Sequence, residues 1–241
     1  MKIGIALSGG GIRGIAHAGV LKALEEENIK VDIIGGTSAG SMVASLYAIG
    51  YTPDEIYMNF KSNSSRILGS SKFNFVGGIK NKFNKGFRNG KKIEEVFKEL
   101  ANKRKIEKIN EIKMPIVIPT VDINDSKEYV FTNNIPTENE NNKYISDISV
   151  GEAIRASSSF PAVFDVCNIK KHIFIDGGAL NNIPIGEVKK QGADKVIAVR
   201  FKGDNINENS NIFDIVMRTI DIMGNKISEE GLNLSDYILT V

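Results

Sequence analysis

The stretch VDIIGGTSAGSMVASLYA, residues 31–48, decides how this chain is read. Its first half, Val31-Asp32-Ile33-Ile34, is a short β-branched apolar run of strand character. Its second half, Ser41 to Ala48, is small and apolar without a breaker, as a buried helix is. Between them stands Gly36-Thr37-Ser38-Ala39-Gly40, which has the G-x-S-x-G form of a nucleophile elbow. A serine thrown out on a sharp strand-to-helix turn needs neighbours without side chains, which is what Gly36 and Gly40 supply.

Working outward, strands and helices alternate on both sides of the elbow. Candidate strands are 2–7, 31–35, 114–121, 173–176, 195–200 and 237–241. Candidate helices are 14–27, 38–49, 91–104, 150–157, 184–191 and 212–229. Apolar strands alternating with amphipathic helices predict a mostly parallel central sheet covered on both faces, a three-layer α/β/α sandwich. Ligands in such folds collect beyond the carboxyl ends of strands. Three glycine motifs each follow a predicted strand: Gly9-Gly10-Gly11-Ile12-Arg13-Gly14, the Ser38 elbow, and Asp176-Gly177-Gly178. They are therefore expected to converge on one edge of the sheet.

Acyl transfer by a serine needs a nucleophile, a proton acceptor and donors for the developing oxyanion. Ser38 opens a helix, whose dipole and free amides favour negative charge nearby. The glycine loop brings consecutive backbone N–H groups within reach of a substrate oxygen. Asp176 is the candidate base. A free aspartate, with a pKa of about 3.9, is a poor acceptor for a serine proton, and burial raises carboxylate basicity. The apolar run Ile173-Phe174-Ile175 leads Asp176 into such a setting.

The order of the motifs resembles the patatin-like phospholipase family, whose members carry G-G-G-x-[KR]-G, then G-x-S-x-G, then D-G-[GA]. The resemblance covers almost the whole chain and includes AIRASSSFPAVF at 153–164 and DGGALNNIPIGEVKKQGADKVIAV at 176–199. It implies a single patatin-like domain over residues 1–241. It implies a Ser38–Asp176 dyad, with Gly9, Gly10 and Gly11 as the oxyanion hole and Arg13, Gly14, Gly36, Gly40, Gly177 and Gly178 as motif support. The implied substrates are phospholipids or lysophospholipids, and neither a cofactor nor a metal is implied. Arg13 has two readings, neutralising a substrate phosphate or bracing the loop.

Rival readings use the same residues. Gly9-x-Gly11-x-x-Gly14 matches a dinucleotide fingerprint, but Asp32 sits near the beginning of the second strand, where the ribose-binding acid belongs at the end. A P-loop is excluded because no Gly-Lys-Ser/Thr follows the glycines. A Ser38–Asp122–His172 triad keeps the hydrolase order, although the only other histidine, His17, reads as a packing residue. A non-catalytic lipid binder on the same scaffold is the alternative from outside enzymology.

Composition agrees with a globular domain. The chain has 241 residues, 41% hydrophobic and 25% charged, with a net charge of +2 that gives no reason to invoke nucleic acid. The single Cys167 excludes an internal disulfide framework and reads as a buried filler. No signal peptide and no apolar run of about 18 residues is evident, so the expected location is cytoplasmic, with peripheral contact at membranes.

Two stretches break the alternation. Residues 61–93 hold nine Lys or Arg and no acidic residue, interleaved with four phenylalanines. They read either as a lid that touches lipid surfaces or as a solvated basic loop. Asn133–Asn142 reads as an exposed turn-rich loop without chemistry. Asp122, in PTVDIND, reads either as a rim residue of the site or as the start of a turn. Arg155 and Ser157 to Ser159 mark a helix end before Pro161.

Overall fold

A computed structural model describes residues 1–68, 89–137, 143–161, 163–202 and 212–241. The strands are β1 (Ile3–Leu7), β2 (Ile33–Gly36), β3 (Ile116–Asp122), β4 (Lys127–Thr132), β5 (Tyr144–Ile145), β6 (Cys167–Ile169), β7 (His172–Asp176), β8 (Lys195–Arg200) and β9 (Tyr237–Thr240). The helices are α1 (Ala16–Glu26), α2 (Ala39–Ala48), α3 (Pro53–Leu68), α4 (Lys91–Lys103), α5 (Val150–Ser157), α6 (Ile185–Lys190) and α7 (Ile212–Leu232).

The strands form one sheet in the order β5-β4-β3-β2-β1-β8-β9, with β6 and β7 joined off β3. The pairs from β3 through β2, β1 and β8 to β9 are parallel, as the alternation predicts. Antiparallel pairing enters where β4 and β7 flank β3 and where β6 folds onto β7. Alternate strand residues divide the core. Ile5, Leu7, Ile34, Ile116 and Ile118 pack into the larger apolar cluster, with residues of α1 to α5. Ala6, Ile33, Val117, Val196 and Ala198 pack into a second cluster with Ile185 and Val188 of α6. The two-residue side-chain period of a strand thus puts one helical layer on each face, the sandwich the sequence predicts.

Four of the described elements were outside the sequence expectation: α3, β4, the two-residue β5 beside β4, and β6. α3 begins at a capping box in which the Glu55 amide donates to Thr52 Oγ1 and the Thr52 amide to Glu55 Oε2. Residues 61–68 of the expected basic loop are the end of this helix; the part of that stretch at 69–88 lies outside the described residues. β4 follows β3 through a tight turn in which Asp122 Oδ1 accepts the Asn124 amide. β6 forms a hairpin with β7 across Lys170, whose φ of 53° lies in the left-handed region.

The Asn-rich loop also differs in part from expectation. Asn133 is built into the fold: its Oδ1 accepts the Ile116 amide, and its Nδ2 donates to the carbonyls of Ile112 and Met114. Residues 138–142 lie outside the described ones.

What positions the site is the edge of β3. β2 runs along that edge as far as Gly35, opposite Val117. β7 occupies the same edge further on, antiparallel, and ends at Asp176 opposite Thr120. Three residues of β3 separate those two levels, about 10 Å. The turn at Thr37-Ser38 leaves β2 in that interval. Asp176 thus reaches the elbow on a strand running opposite to β2, an antiparallel member of a mostly parallel sheet.

Candidate active site

At the end of β2 the chain turns sharply into α2, and Ser38 takes φ 53° and ψ −121°. A residue with a Cβ pays a steric penalty there, so the surroundings must impose the conformation. They do so by close packing. A Cβ on Gly36 would lie 2.3 Å from the carbonyl oxygen of Gly40, and one on Gly40 would lie 2.5 Å from that of Leu7. The Ser38 amide donates to Ser157 Oγ at the end of α5 (3.0 Å). The Ser38 carbonyl accepts Ser41 Oγ (2.6 Å) and the amide of Ser41. Ser38 is partly exposed, unlike Thr37 and Ala39 on either side.

The glycine loop lies directly against this serine. A Cβ on Gly9 would be 3.3 Å from Ser38 Cβ and 2.6 Å from Asn182 Oδ1. The Gly9 amide is committed to Asn182, donating to its Oδ1 at 3.1 Å and its carbonyl at 3.2 Å. Gly10 packs on Phe201, where a Cβ would meet the ring at 2.3 Å. Gly14 packs on Ala39 at the start of α2, where a Cβ would meet Ala39 Cβ at 2.3 Å. Arg13 donates to the Lys202 carbonyl (2.8 Å) and lies over the Phe201 ring at 5.4 Å. These contacts tie the loop to the end of β8, so they support the bracing reading of Arg13.

Beneath the loop, His17 of α1 is fully buried against Phe201, with ring centroids 4.7 Å apart. Its Nε2 lies 2.8 Å from the Ser8 carbonyl, which can only accept, so Nε2 carries the proton. Burial lowers its pKa to about 4, against a smaller upward pull from that hydrogen bond. His17 is a neutral strut for the strand that leads into the loop.

Asp176 is buried at the end of β7, and its Oδ1 accepts the Gly178 amide at 2.8 Å. The Asp176 amide donates to the Ser159 carbonyl, so the end of α5 touches both the elbow and this strand. A Cβ on Gly177 would lie 2.3 Å from the Pro119 carbonyl and 3.1 Å from Thr37 Cγ2. Thr37 Oγ1 donates to the Asn181 carbonyl at 2.8 Å. The three glycine motifs therefore share contacts through Thr37, Asn181 and Asn182. α7 closes over them: Gly224 is buried, and a Cβ there would be 2.9 Å from the Gly178 carbonyl.

The Asp122–His172 pair of the rival triad does form, with Nδ1 and Oδ2 2.6 Å apart. Burial pushes the Asp122 carboxyl up, but the Asn124 amide, the His172 imidazole and the Ile173 amide together bring it below its ordinary value. The His172 ring stacks on Phe174 and tilts against Tyr129. The pair stands elsewhere, however. His172 begins β7 and Asp176 ends it, four residues or about 13 Å apart along the strand, and the elbow lies at the Asp176 end. Asp122 thus serves both as turn initiator and as partner of His172.

Other sequence candidates are structural. Arg155 is buried between Glu94 (3.2 Å) and Asp165 (3.8 Å). Burial pushes the Cys167 thiol up to about 12, which keeps it an inert core residue. Among the described residues no group of three His, Cys, Asp or Glu side chains is arranged to hold a metal ion. Among the same residues no helix is long and apolar enough to cross a membrane. Sequence reading passed over the contact between Ser157 and the elbow. Asn181 and Asn182 lie in the run at 176–199, but nothing in that run shows their links to the other two motifs.

Fold and site together define a class, the α/β sandwiches organised around a nucleophile elbow with a neighbouring glycine loop. Within that class the chain belongs to the patatin-like phospholipase family, whose pattern matches residues 5–189. It is 33% identical over 202 residues to "Lysophospholipase NTE1" of Scheffersomyces stipitis, a match covering 82% of this chain and 11% of that protein. It is 32% identical over 206 residues to the protein of the same name in Candida albicans, covering 82% of this chain and 13% of that one. The chain thus spans about an eighth of the length of these relatives. Among solved structures, VipD from Legionella pneumophila aligns with a TM-score of 0.55 at 15% identity, covering 86% of this chain and 51% of that one. At that identity the likeness concerns the fold alone.

Proposed function

We propose that this protein is a serine acyl hydrolase that cleaves ester bonds of phospholipids or lysophospholipids with a Ser38–Asp176 dyad. The observation that carries this reading is the strained Ser38 turn, packed on Gly9 and facing the end of the strand that bears Asp176. Family membership and the similarity to proteins named lysophospholipase support the lipid substrate.

In the reaction, Ser38 Oγ bonds to the ester carbonyl carbon while its proton passes to Asp176. The tetrahedral oxyanion takes hydrogen bonds from the glycine loop. Because the Gly9 amide is held by Asn182, the donors assigned to this task are the amides of Gly10 and Gly11. Collapse of the intermediate breaks the bond to the alcohol, which leaves with the proton from Asp176, and an acyl-serine remains. Water then gives a proton to Asp176 and attacks the acyl carbon. The fatty acid departs, and Ser38 recovers its proton.

The test is hydrolysis of a lipid panel followed by mass spectrometry, with fluorophosphonate labelling as a second readout. Ser38→Ala is expected to abolish labelling and turnover, and Asp176→Asn to lower turnover by at least about 10³. His172→Ala is expected to keep most of the activity. Full activity in Asp176→Asn with loss in His172→Ala would return the site to the triad. A folded wild-type protein that takes no label at Ser38 would be a lipid binder. The basic stretch 61–93 is assigned to contact with anionic lipid surfaces: K80E/K82E/K85E should weaken vesicle binding and leave hydrolysis of a soluble ester intact.

A further inference from the structure

Asn181 stands between the elbow and a polar cluster that the proposed chemistry does not use. Its carbonyl accepts Thr37 Oγ1 at 2.8 Å, and its amide donates to the Gly177 carbonyl at 2.8 Å. Its side chain turns the other way and donates to Glu128 Oε1 at 2.7 Å. Glu128, on β4, lies 3.7 Å from Lys143, which pairs with the buried Glu187 of α6 at 2.9 Å. Glu187 also accepts the Tyr144 hydroxyl at 2.8 Å and the Lys190 ammonium at 3.0 Å.

Such a cluster is costly to bury and adds little stability over an apolar packing of the same volume, so specificity of arrangement is the role left to explain. Among the described residues, the contact that leaves the cluster toward the site is the one between Glu128 and Asn181. We infer that Glu128 is a positioning residue: its carboxylate fixes the Asn181 side chain, and Asn181 in turn holds the turn before Ser38 and the turn after Asp176. The inference rests on the dyad reading. Glu128 itself sits beyond Asn181, whose other contacts go to Thr37 and Gly177. Its effect therefore falls on the alignment of the reacting groups. Displacing a reacting group by about 1 Å can cost up to about 10² in rate.

The test compares wild type with Glu128→Ala, Glu128→Gln, Glu128→Asp, Asn181→Ala and the double Glu128→Ala/Asn181→Ala. Readouts are kcat and KM on a soluble p-nitrophenyl ester, the rate of fluorophosphonate labelling at Ser38, and circular dichroism to confirm folding. Glu128→Ala should lower kcat by about tenfold to a hundredfold with KM within about twofold. Glu128→Gln, which keeps an acceptor for Asn181, should restore kcat to within about threefold of wild type. Glu128→Asp keeps the charge facing Lys143 but withdraws the acceptor, and should lose nearly as much as Ala. It carries the test if the Ala protein does not fold. The double variant should be no slower than Asn181→Ala, because the two residues act through one contact.

Wild-type kcat in Glu128→Asp, multiplied losses in the double variant, or failure of Gln to rescue would each overturn the inference. Those results with normal wild-type labelling leave the dyad standing. Absence of labelling at Ser38 in wild type removes the dyad and this inference together.

Discussion

At the scale of single residues, the site depends on positions where a side chain would not fit or where one hydrogen bond has no substitute. Gly9 is the sharpest case, since a methyl group there would meet Asn182 Oδ1 at 2.6 Å and press on Ser38 Cβ at 3.3 Å. Gly9→Ala should therefore push the glycine loop away from the serine, and turnover of a soluble ester should fall by about 10² while the protein stays folded. Ser157 offers a second test. Its Oγ accepts the Ser38 amide, and a buried donor left without an acceptor costs about 1–3 kcal/mol. Ser157→Ala is expected to slow fluorophosphonate labelling about tenfold, and labelling at the wild-type rate would show that the elbow holds its shape without this bond. The glycines were legible because close approach leaves a compositional mark in the sequence. Ser157 was not, because a serine at a helix end has many uses and its partner lies 119 positions away.

Among the elements, α1 supports the strand that leads into the glycine loop, and β7 carries Asp176. α1 presents His17 to the Ser8 carbonyl in its neutral form, and the depressed pKa makes this a pH-dependent strut. In the unfolded chain His17 takes up a proton near pH 6.5, whereas in the folded protein it resists protonation down to about pH 4. Its contribution is therefore complete above about pH 6.5 and is lost as the pH falls toward about 4, an effect on the order of 3 kcal/mol. Urea unfolding between pH 7 and pH 4 should show this decline, and His17→Gln should flatten that part of the curve. β7 is fixed from the side by aromatic rings: Phe174 meets Phe131 edge-on at 5.6 Å, and Tyr129 packs on the same ring. Strand β7 was predicted from its apolar run, yet its direction was not. Whether a strand runs with or against its neighbour is decided by the partner it meets; β6, three residues long, is too short to announce itself, and the Tyr129-Val130-Phe131 run of β4 was passed over.

For the molecule as a whole, the fold brings the elbow and Asp176 together by ending β2 and β7 on one edge of β3. Phe174 is fully buried where β7 joins the core, so Phe174→Ala should cost about 3–5 kcal/mol. In a chain of this size that is a fall of about 10 °C in the thermal midpoint, measurable by calorimetry. Esterase activity should drop further than the folded fraction does, because the strand carrying Asp176 loosens. By itself the amino-acid sequence determined the alternation of buried strands and amphipathic helices, the strand-turn-helix at Ser38 and the three glycine motifs. These are local patterns, written in side-chain period and in the absence of side chains where backbones meet. Only the tertiary structure decided that β7 is antiparallel, that the Asp122–His172 pair stands away from the elbow, and that Asn181 links Thr37 to Glu128. Those facts depend on contacts between residues far apart in the chain, and a hydrogen bond across such a distance leaves no period or spacing to read.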